Sequence, residues 1–508
     1  MTLIPIPEIR LRPVNSEPVR DGGFVLYWMI AARRLGWNFA LEHAADQARR
    51  LKKPLVILEP LRCGYAWAND RIHRFVLEGM ADHAALLGKS NVTYLPYVEP
   101  TPGAGKGLLA ALGSHACLVV TDDSPAFFLA RMVSAAGAQL ARLPVRLEAV
   151  DSNGLLPLRA ADKDFVTAAH FRRFLQKALP EHLQRAPAEN PLKAPLPKRL
   201  SAMPPEIVKR WPMAAPELLA GGSLAALPID HSVPSVPALP GGDSAAERTL
   251  HRFLDERLER YGEGRNDPGE DVTSTLSPYL HFGNVSIHQV FAAVAARERW
   301  TPDRLAGRPT GAREGWWGMS PAAEKFLDEA ITWREVGYNM AAHRTDFERY
   351  DSLPEWAKTT LGKHASDPRP NLYSHDQFEA GDTHDELWNA AQGQLREDGR
   401  IHNYLRMLWG KKVLEGSASP REALEILIDL NNKYALDGRD PNSYTGIFWT
   451  LGRYDRPWPP ERPIFGVIRY MSSDSTRRKL KVDGYVARYG PRSGARYGEK
   501  AAQMSLLG

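Results

Sequence analysis

Glu329 and Trp333 stand four residues apart in Phe326-Leu-Asp-Glu-Ala-Ile-Thr-Trp-Arg-Glu335, a spacing that puts a carboxyl group and an indole on one face of a helix. That pair suits a planar heterocycle, which the indole can stack on and the carboxyl can hydrogen-bond. Where rings exclude water the carboxyl pKa rises, and the acid can then donate to a carbonyl. A second set, His384-Asp-Glu-Leu-Trp388 and Tyr404-Leu-Arg-Met-Leu-Trp409, places Trp388 and Trp409 on neighbouring helices, as a chain of redox-active rings requires, with Arg406 sharing the face of Trp409. A third, Leu430-Asn-Asn-Lys-Tyr434 followed by Asp437-Gly-Arg-Asp-Pro-Asn442, ends a helix in a polar turn from which Asp437 can pair with Arg406 beside a cofactor edge. The fourth, Thr273-Ser-Thr-Leu-Ser277, offers hydroxyls and backbone N–H groups of the kind that bind phosphate oxygens. Taken singly, each set also describes ordinary core packing or an ordinary loop.

The elements that must position these residues fall into two kinds. Apolar runs at Phe24–Ile30, Pro54–Pro60, Val92–Tyr97, Ala116–Thr121 and Leu143–Val150 alternate with helical patterns such as Asn38–Lys52 and Arg74–Leu87. This is the pattern of βαβ units and a parallel sheet covered on both faces. No G-x-G-x-x-G follows the first strand, so the layout is Rossmann-like without a dinucleotide fingerprint. Residues 187–240 hold 12 of the 40 prolines, which predicts a long linker with one short helix near Glu206–Trp211. From Ser244 onward the pattern is helical, with start signals at Ser286-Ile-His-Gln289, Thr383-His-Asp-Glu386 and Ser419-Pro-Arg-Glu422. The expected fold is an α/β domain over 1–155, a partly helical, Pro-rich linker over 156–243, and an all-α domain over 244–508.

Composition narrows the class. Across 508 residues, 43% hydrophobic and 25% charged content is that of a folded globular protein. Two cysteines, Cys63 and Cys117, are too few for a disulfide framework or a zinc cluster, and no metal site is expected. No apolar run reaches the ~20 residues a bilayer span needs, and Met1–Arg12 lacks an export signal, so the expected location is the cytoplasm, without a membrane. The net charge of +5 hides a local excess: nine Lys/Arg and three acids lie between Arg469 and Gly508. Such a tail either solvates the chain end or meets phosphates, with Tyr470, Tyr485, Tyr489 and Tyr497 interleaved. Nothing calls for an oligomer, and a monomer is expected.

Together and in this order, the four sets resemble the photolyase/cryptochrome flavoprotein family, and in detail its class II cyclobutane pyrimidine dimer photolyases. The resemblance runs from Val25-Leu-Tyr-Trp-Met29 and Trp37-Asn-Phe-Ala-Leu41 through Val119-Val-Thr-Asp-Asp123 and Val150-Asp-Ser-Asn153. It is strongest in Thr273–Gly283, Asp437–Asn442 and Ile468-Arg-Tyr-Met471. It implies FAD bound in the helical domain, active in its reduced anionic form, and UV-damaged DNA as partner, with the dimer flipped out for repair. It further implies that Tyr261, Thr273, Ser274, Thr275, Leu276 and Ser277 hold the flavin diphosphate region, that Asn431 faces flavin N5, and that Arg406 and Asp437 pair beside the ring. Glu329 would hydrogen-bond the dimer, Trp333 and Trp449 would grip it, and Arg265 and Arg469 would contact DNA. Trp409, then Trp388, with Tyr373 as accessory donor, would photoreduce resting flavin. Members often carry a further Trp where this chain has Gly416 in Leu414-Glu-Gly-Ser417, so slower photoreduction is expected. The N-terminal domain corresponds to the antenna domain, its chromophore a deazaflavin, a folate or none.

The competing reading is a cryptochrome-like blue-light photoreceptor signalling through a partner. It is disfavoured because Glu329, Trp333, Trp449 and Asn431 occur together and no long low-complexity extension follows Tyr470. A nicotinamide-dependent flavin oxidoreductase lacks its fingerprint, and (6-4) photoproduct repair lacks a His beside Glu329 or Trp449.

Overall fold

Runs of β-branched and aromatic residues buried on both faces make the strands of a central sheet. A computed structural model describes residues 5–491. The strands are β1 (Leu11–Pro13), β2 (Phe24–Trp28), β3 (Leu55–Leu61), β4 (Val92–Val98), β5 (Ala116–Asp122) and β6 (Leu147–Val150). Their order is β1-β6-β5-β2-β3-β4, parallel except for β1, which pairs antiparallel with β6 through Leu11↔Val150. The five expected strands are present, β2 and β6 shorter than the apolar runs and β3, β4 and β5 reaching one residue further, while β1 escaped the sequence reading because three residues carry no measurable alternation.

The chain is doubly wound about β2 and β5, and loops leave their carboxyl ends in opposite directions there. Asp122, at the end of β5, locks that point. Its Oδ2 accepts the N–H groups of Ile30 (2.8 Å), Ala31 (2.7 Å) and Ala32 (3.0 Å), and its Oδ1 accepts the Tyr27 hydroxyl (2.7 Å).

Beyond β6 the described elements are helical, and outside the Pro-rich stretch their apolar faces close on one continuous core that includes Trp316, Trp317, Trp388 and Trp409. The Pro-rich stretch contains the expected helix, Pro205–Arg210, and a second short one, Pro216–Leu219. Trp211 seals it to the sheet side by donating to the Ala104 carbonyl (2.9 Å). Buried arginines stitch sheet and helices together through backbone carbonyls. Arg34 donates to Gly283 (3.0 Å) and Ser152 (3.1 Å), and Arg71 to Tyr434 (2.6 Å) and Arg396 (2.6 Å). Gly283 has φ 83°, and a Cβ there would collide with the Ala31 carbonyl, so the seam requires glycine.

Two helix starts differ from expectation. Ser419 caps Pro420–Tyr434 as expected, accepting from Glu422 N (3.1 Å). At Thr383, however, Asp385 is the cap of Glu386–Asp398, because its carboxylate accepts from Trp388 N while Thr383 is drawn to Asn389 (2.7 Å). Ser286 caps Ile287–Arg297 through His288 N, without the reciprocal Gln289 bond. Of the tail, Arg492, Arg496, Tyr497 and Lys500 lie outside the described residues. Tyr485 and Tyr489 are buried, donating to Gln394 (2.7 Å) and Asp398 (2.7 Å), so these two pack rather than line a DNA face. No described helix is long and apolar enough to cross a membrane.

Candidate functional site

The segment carrying Glu329 and Trp333 is not a uniform α-helix. Helix Pro321–Leu327 widens into a π-helix over Asp328–Trp333 and returns to α over Arg334–His343. The wider turn still leaves residues four apart within about 40° of each other around the axis, as an α-helix does, so Glu329 and Trp333 stay on one side of the segment. Arg172, from helix Ala168–His182, anchors the widened turn with two bonds to Asp328 (2.6 and 2.9 Å), both side chains buried. Glu329 then projects to Arg265, whose Nη1 donates to its Oε1 at 2.7 Å, and a third of the Glu329 side chain stays exposed. Burial pushes the Glu329 carboxyl above the usual range, and Arg265 pulls against that shift. Tyr261 packs edge-on against Phe253 and Phe326 with the Arg265 guanidinium 5.9 Å from its ring, so its contacts lie beside the Arg265–Glu329 pair.

Helix Pro441–Thr450 brings Trp449. Its cap is Asp440, which also accepts the Tyr338 hydroxyl (2.9 Å) and so ties the Asp437–Asn442 turn to helix Arg334–His343. The two helices touch at Gly337, where a Cβ would meet the Pro441 carbonyl at 2.5 Å. Trp333 lies four residues before Gly337 and Trp449 four after Thr445, which also meets Gly337, so each indole stands about one turn from the contact. Trp449 is 8% exposed. Arg469 lies 5.7 Å from its ring and 3.9 Å from that of Trp458, and pairs with Asp455 (3.5 Å).

The polar groups expected at a cofactor come from three elements. Arg406, on helix Asn403–Gly416, makes two bonds to Asp437 (2.8 and 3.2 Å). Asn431, buried on helix Pro420–Tyr434, donates Nδ2 to Ser443 Oγ (2.7 Å), which fixes its amide and turns the carbonyl oxygen away from that partner. The loop Thr273–Ser277 enters helix Ser277–Phe282 through Thr275 at φ 55°, with Leu276 N donating to Ser274 Oγ (3.3 Å). Arg400 reaches Thr273 Oγ1 (3.5 Å). Nearby His402 is buried with neither ring nitrogen partnered, and burial followed by Arg400 lowers its pKa to about 4. A buried imidazole left unpaired beside hydroxyls and an arginine fits an anionic or polar ligand such as a diphosphate. Arg400 and His402 escaped the sequence reading because neither lies in a recognisable motif.

Trp388 and Trp409 form the expected pair. Trp388 Nε1 donates to the Trp409 carbonyl (3.0 Å) and Trp409 Nε1 to Gln392 (3.0 Å). Phe378 packs between Trp388 (5.1 Å) and Tyr373 (5.5 Å). The Tyr373 hydroxyl bonds to Nδ1 of exposed His384, and a Cβ on Gly416 would stand 3.0 Å from both Tyr373 and Phe378. Tyr373, Phe378 and Trp388 border a cavity of about 240 Å³.

A larger cleft, about 1150 Å³, opens at the β2/β5 switch point between sheet and helices. Tyr65 and Phe128 stack at its wall (6.1 Å), and Arg439, at φ 59°, lines it with Nε and Nη2 unpartnered.

Residues 25–195 match the family model described as DNA photolyase. Over 482 residues the chain is 35% identical to the deoxyribodipyrimidine photo-lyase of Methanothermobacter thermautotrophicus, covering 94% of this chain and 97% of that protein. It is 32% identical to that of Potorous tridactylus, covering 92% of this chain and 81% of that protein. A crystal structure of a bacterial class III photolyase from Agrobacterium tumefaciens superimposes with a TM-score of 0.68 at 18% identity, over 92% of this chain and 86% of that one, a likeness of fold.

Proposed function

Since this chain belongs to the photolyase family, we propose that it splits cyclobutane pyrimidine dimers in UV-damaged DNA under light. The enzyme is a deoxyribodipyrimidine photo-lyase, and its class II character rests on the sequence motifs alone. The observation that carries the reading is the Arg265–Glu329 pair on a π-helical turn ending at Trp333, on a helix that packs against the one bearing Trp449. A raised carboxyl pKa, two indoles and a partly exposed guanidinium suit a flipped pyrimidine pair on a phosphate backbone.

The residues present fit FAD, which when bound in its reduced anionic form supplies the light-driven electron that opens the cyclobutane ring. Arg406 and Asp437 would hold the polar edge of the ring system, and the uncharged Asn431, its Nδ2 already spent on Ser443, would present an acceptor towards N5. The Thr273–Ser277 hydroxyls, Arg400 and His402 would take the diphosphate. Burial raises the Glu329 pKa against the pull of Arg265, and the protonated acid would donate to a pyrimidine carbonyl as charge arrives there. Arg265 and Arg469 remain accessible enough to meet DNA phosphates. The cleft at the switch point would take an antenna chromophore of deazaflavin or folate type, with Arg439 supplying the charge for an anionic group.

The test is blue illumination of the purified, reduced protein with an oligonucleotide carrying one thymine dimer. Recovery of monomeric thymine only in the light supports the reading. No recovery, with flavin retained, defeats it and favours the photoreceptor.

A further inference from the structure

Helix Asn403–Gly416 carries Arg406 and Trp409, and two residues beyond Trp409 it carries Lys411, which has no exposed surface. The Lys411 ammonium donates to the Thr450 carbonyl at 2.7 Å and lies 4.7 Å from the centroid of the Trp449 indole. Gly410 makes that reach possible, because a Cβ there would collide with the Thr450 side chain. The adjacent Lys412, also largely buried, has its charge balanced by Glu415 (2.5 Å) and Asp385 (3.4 Å). Lys411 forms no such pair among the described residues. The charges that reach it are Asp455, which favours the ammonium, and Arg469, which opposes it.

A buried cation is costly unless its surroundings use it, and a methionine would fill the same space without the penalty. What surrounds this one is the face of an indole and the carbonyl of the next residue in the chain. Arg469, the other cation near Trp449, has a side chain 40% exposed and so reaches solvent. Lys411 does not.

We propose that Lys411 is a positioning residue for the lesion, fixing the Trp449 indole and its backbone from the protein side in the orientation that grips a flipped pyrimidine. The proposal rests on the reading of Trp449 as a lesion-gripping residue. Cation–π attraction of a desolvated ammonium is worth enough to hold a ring that would otherwise swing about χ1. Burial lowers the ammonium pKa to about 7, with Asp455 raising and Arg469 lowering it. The contact is therefore charged below pH 7 and fades above it.

The test is dark binding of the full-length, flavin-loaded protein to dimer-containing and undamaged oligonucleotides between pH 6 and 8.5, read by fluorescence anisotropy. The preference for the dimer should fall severalfold as pH rises through about 7. Lys411→Met should lower that preference about tenfold at pH 6 and flatten the profile. Lys411→Arg, charged throughout, should keep the preference and also flatten it. A Lys411→Met protein with wild-type preference and profile overturns the proposal. Should that variant not fold, the emission of Trp449, taken as wild type minus Trp449→Phe, decides. A transition near pH 7 supports the contact, and an invariant spectrum overturns it. Wild-type protein that fails to prefer the dimer at any pH overturns the repair reading, and the lesion role of Lys411 with it.

Discussion

The indoles of Trp388 and Trp409 lie 6.4 Å apart, centroid to centroid, within 5° of parallel, both almost fully buried. Parallel rings at that separation exchange electrons readily, and the pair points outwards through Phe378 to Tyr373 and the exposed His384. Gly416 offers no third indole, and the space above it is taken by Tyr373. Trp409→Phe and Trp388→Phe should each slow photoreduction of oxidised flavin at least tenfold while leaving dimer splitting by chemically reduced protein intact. Transient absorption should find a tyrosyl signal that Tyr373→Phe removes. A third tryptophanyl radical would contradict this ending of the relay.

Glu329 should contribute a pH dependence to repair, displaced upwards from the ordinary carboxyl range. Burial raises its pKa and Arg265 restrains the shift, so the protonated form persists above the ordinary carboxyl range and is lost as pH rises further. The yield of splitting per absorbed photon, measured at saturating substrate, should fall with rising pH. Glu329→Gln, a permanent donor, should flatten that limb at a somewhat reduced yield, and Glu329→Ala should lose yield about tenfold or more at every pH. An unchanged profile in Glu329→Gln would remove the proton from the mechanism.

How much of this was legible in the sequence depends on what a local pattern can encode. Five strands and the pairing of Arg406 with Asp437 were readable because apolar runs and residue types announce them. The π-helical turn was not, since Phe326–Glu335 has an ordinary helical composition and the turn's side-chain anchor, Arg172, lies 156 positions before its partner Asp328. Lys411 was hidden for a similar reason. In Trp409-Gly-Lys-Lys412 two lysines read as solvated surface, and only the approach of Thr450 over Gly410 leaves one fully buried without a carboxylate while the other pairs with Glu415. Tyr261 could be assigned only by resemblance, and its edge-on packing against Phe326 with Arg265 5.9 Å from its ring is set by contacts that no local pattern encodes.

The Arg172–Asp328 pair makes a stability prediction. Both side chains are under a tenth exposed, so removing one partner strands a charge. Arg172→Met should cost about 3–5 kcal/mol, seen as a fall in the denaturant midpoint. The double variant Arg172→Met/Asp328→Leu should recover most of that stability while repair stays impaired, because the π-helical turn has lost its anchor. Full recovery of repair would show that the turn holds itself.

A second buried pair joins sheet and helices. His83 bonds Glu59 (2.8 Å) and Asp243 (3.2 Å), the latter at the start of helix Asp243–Glu256, and Glu59 also pairs with Arg33 (2.9 Å). Burial works against both charges, but the two carboxylates carry His83 up to about 10, while His83 and Arg33 hold Glu59 at about 2. For the raised His83, the stabilisation is complete below its unfolded pKa of ~6.5 and is lost as pH climbs towards 10. For the depressed Glu59 it is complete above ~4.5 and is lost as pH falls towards 2. Lys411 acts in the other sense, since its lowered pKa makes stability rise with pH between about 7 and its unfolded value near 10.5. The two slopes overlap in alkali, so a single melting curve against pH cannot separate them, but variants can. His83→Gln should lower the melting temperature most at pH 6 and flatten the alkaline decline, whereas Lys411→Met should raise it most at pH 6 and leave the acid limb unchanged. A His83→Gln protein with the wild-type alkaline slope would mean that the imidazole is neutral in the seam and that Arg33 alone balances Glu59.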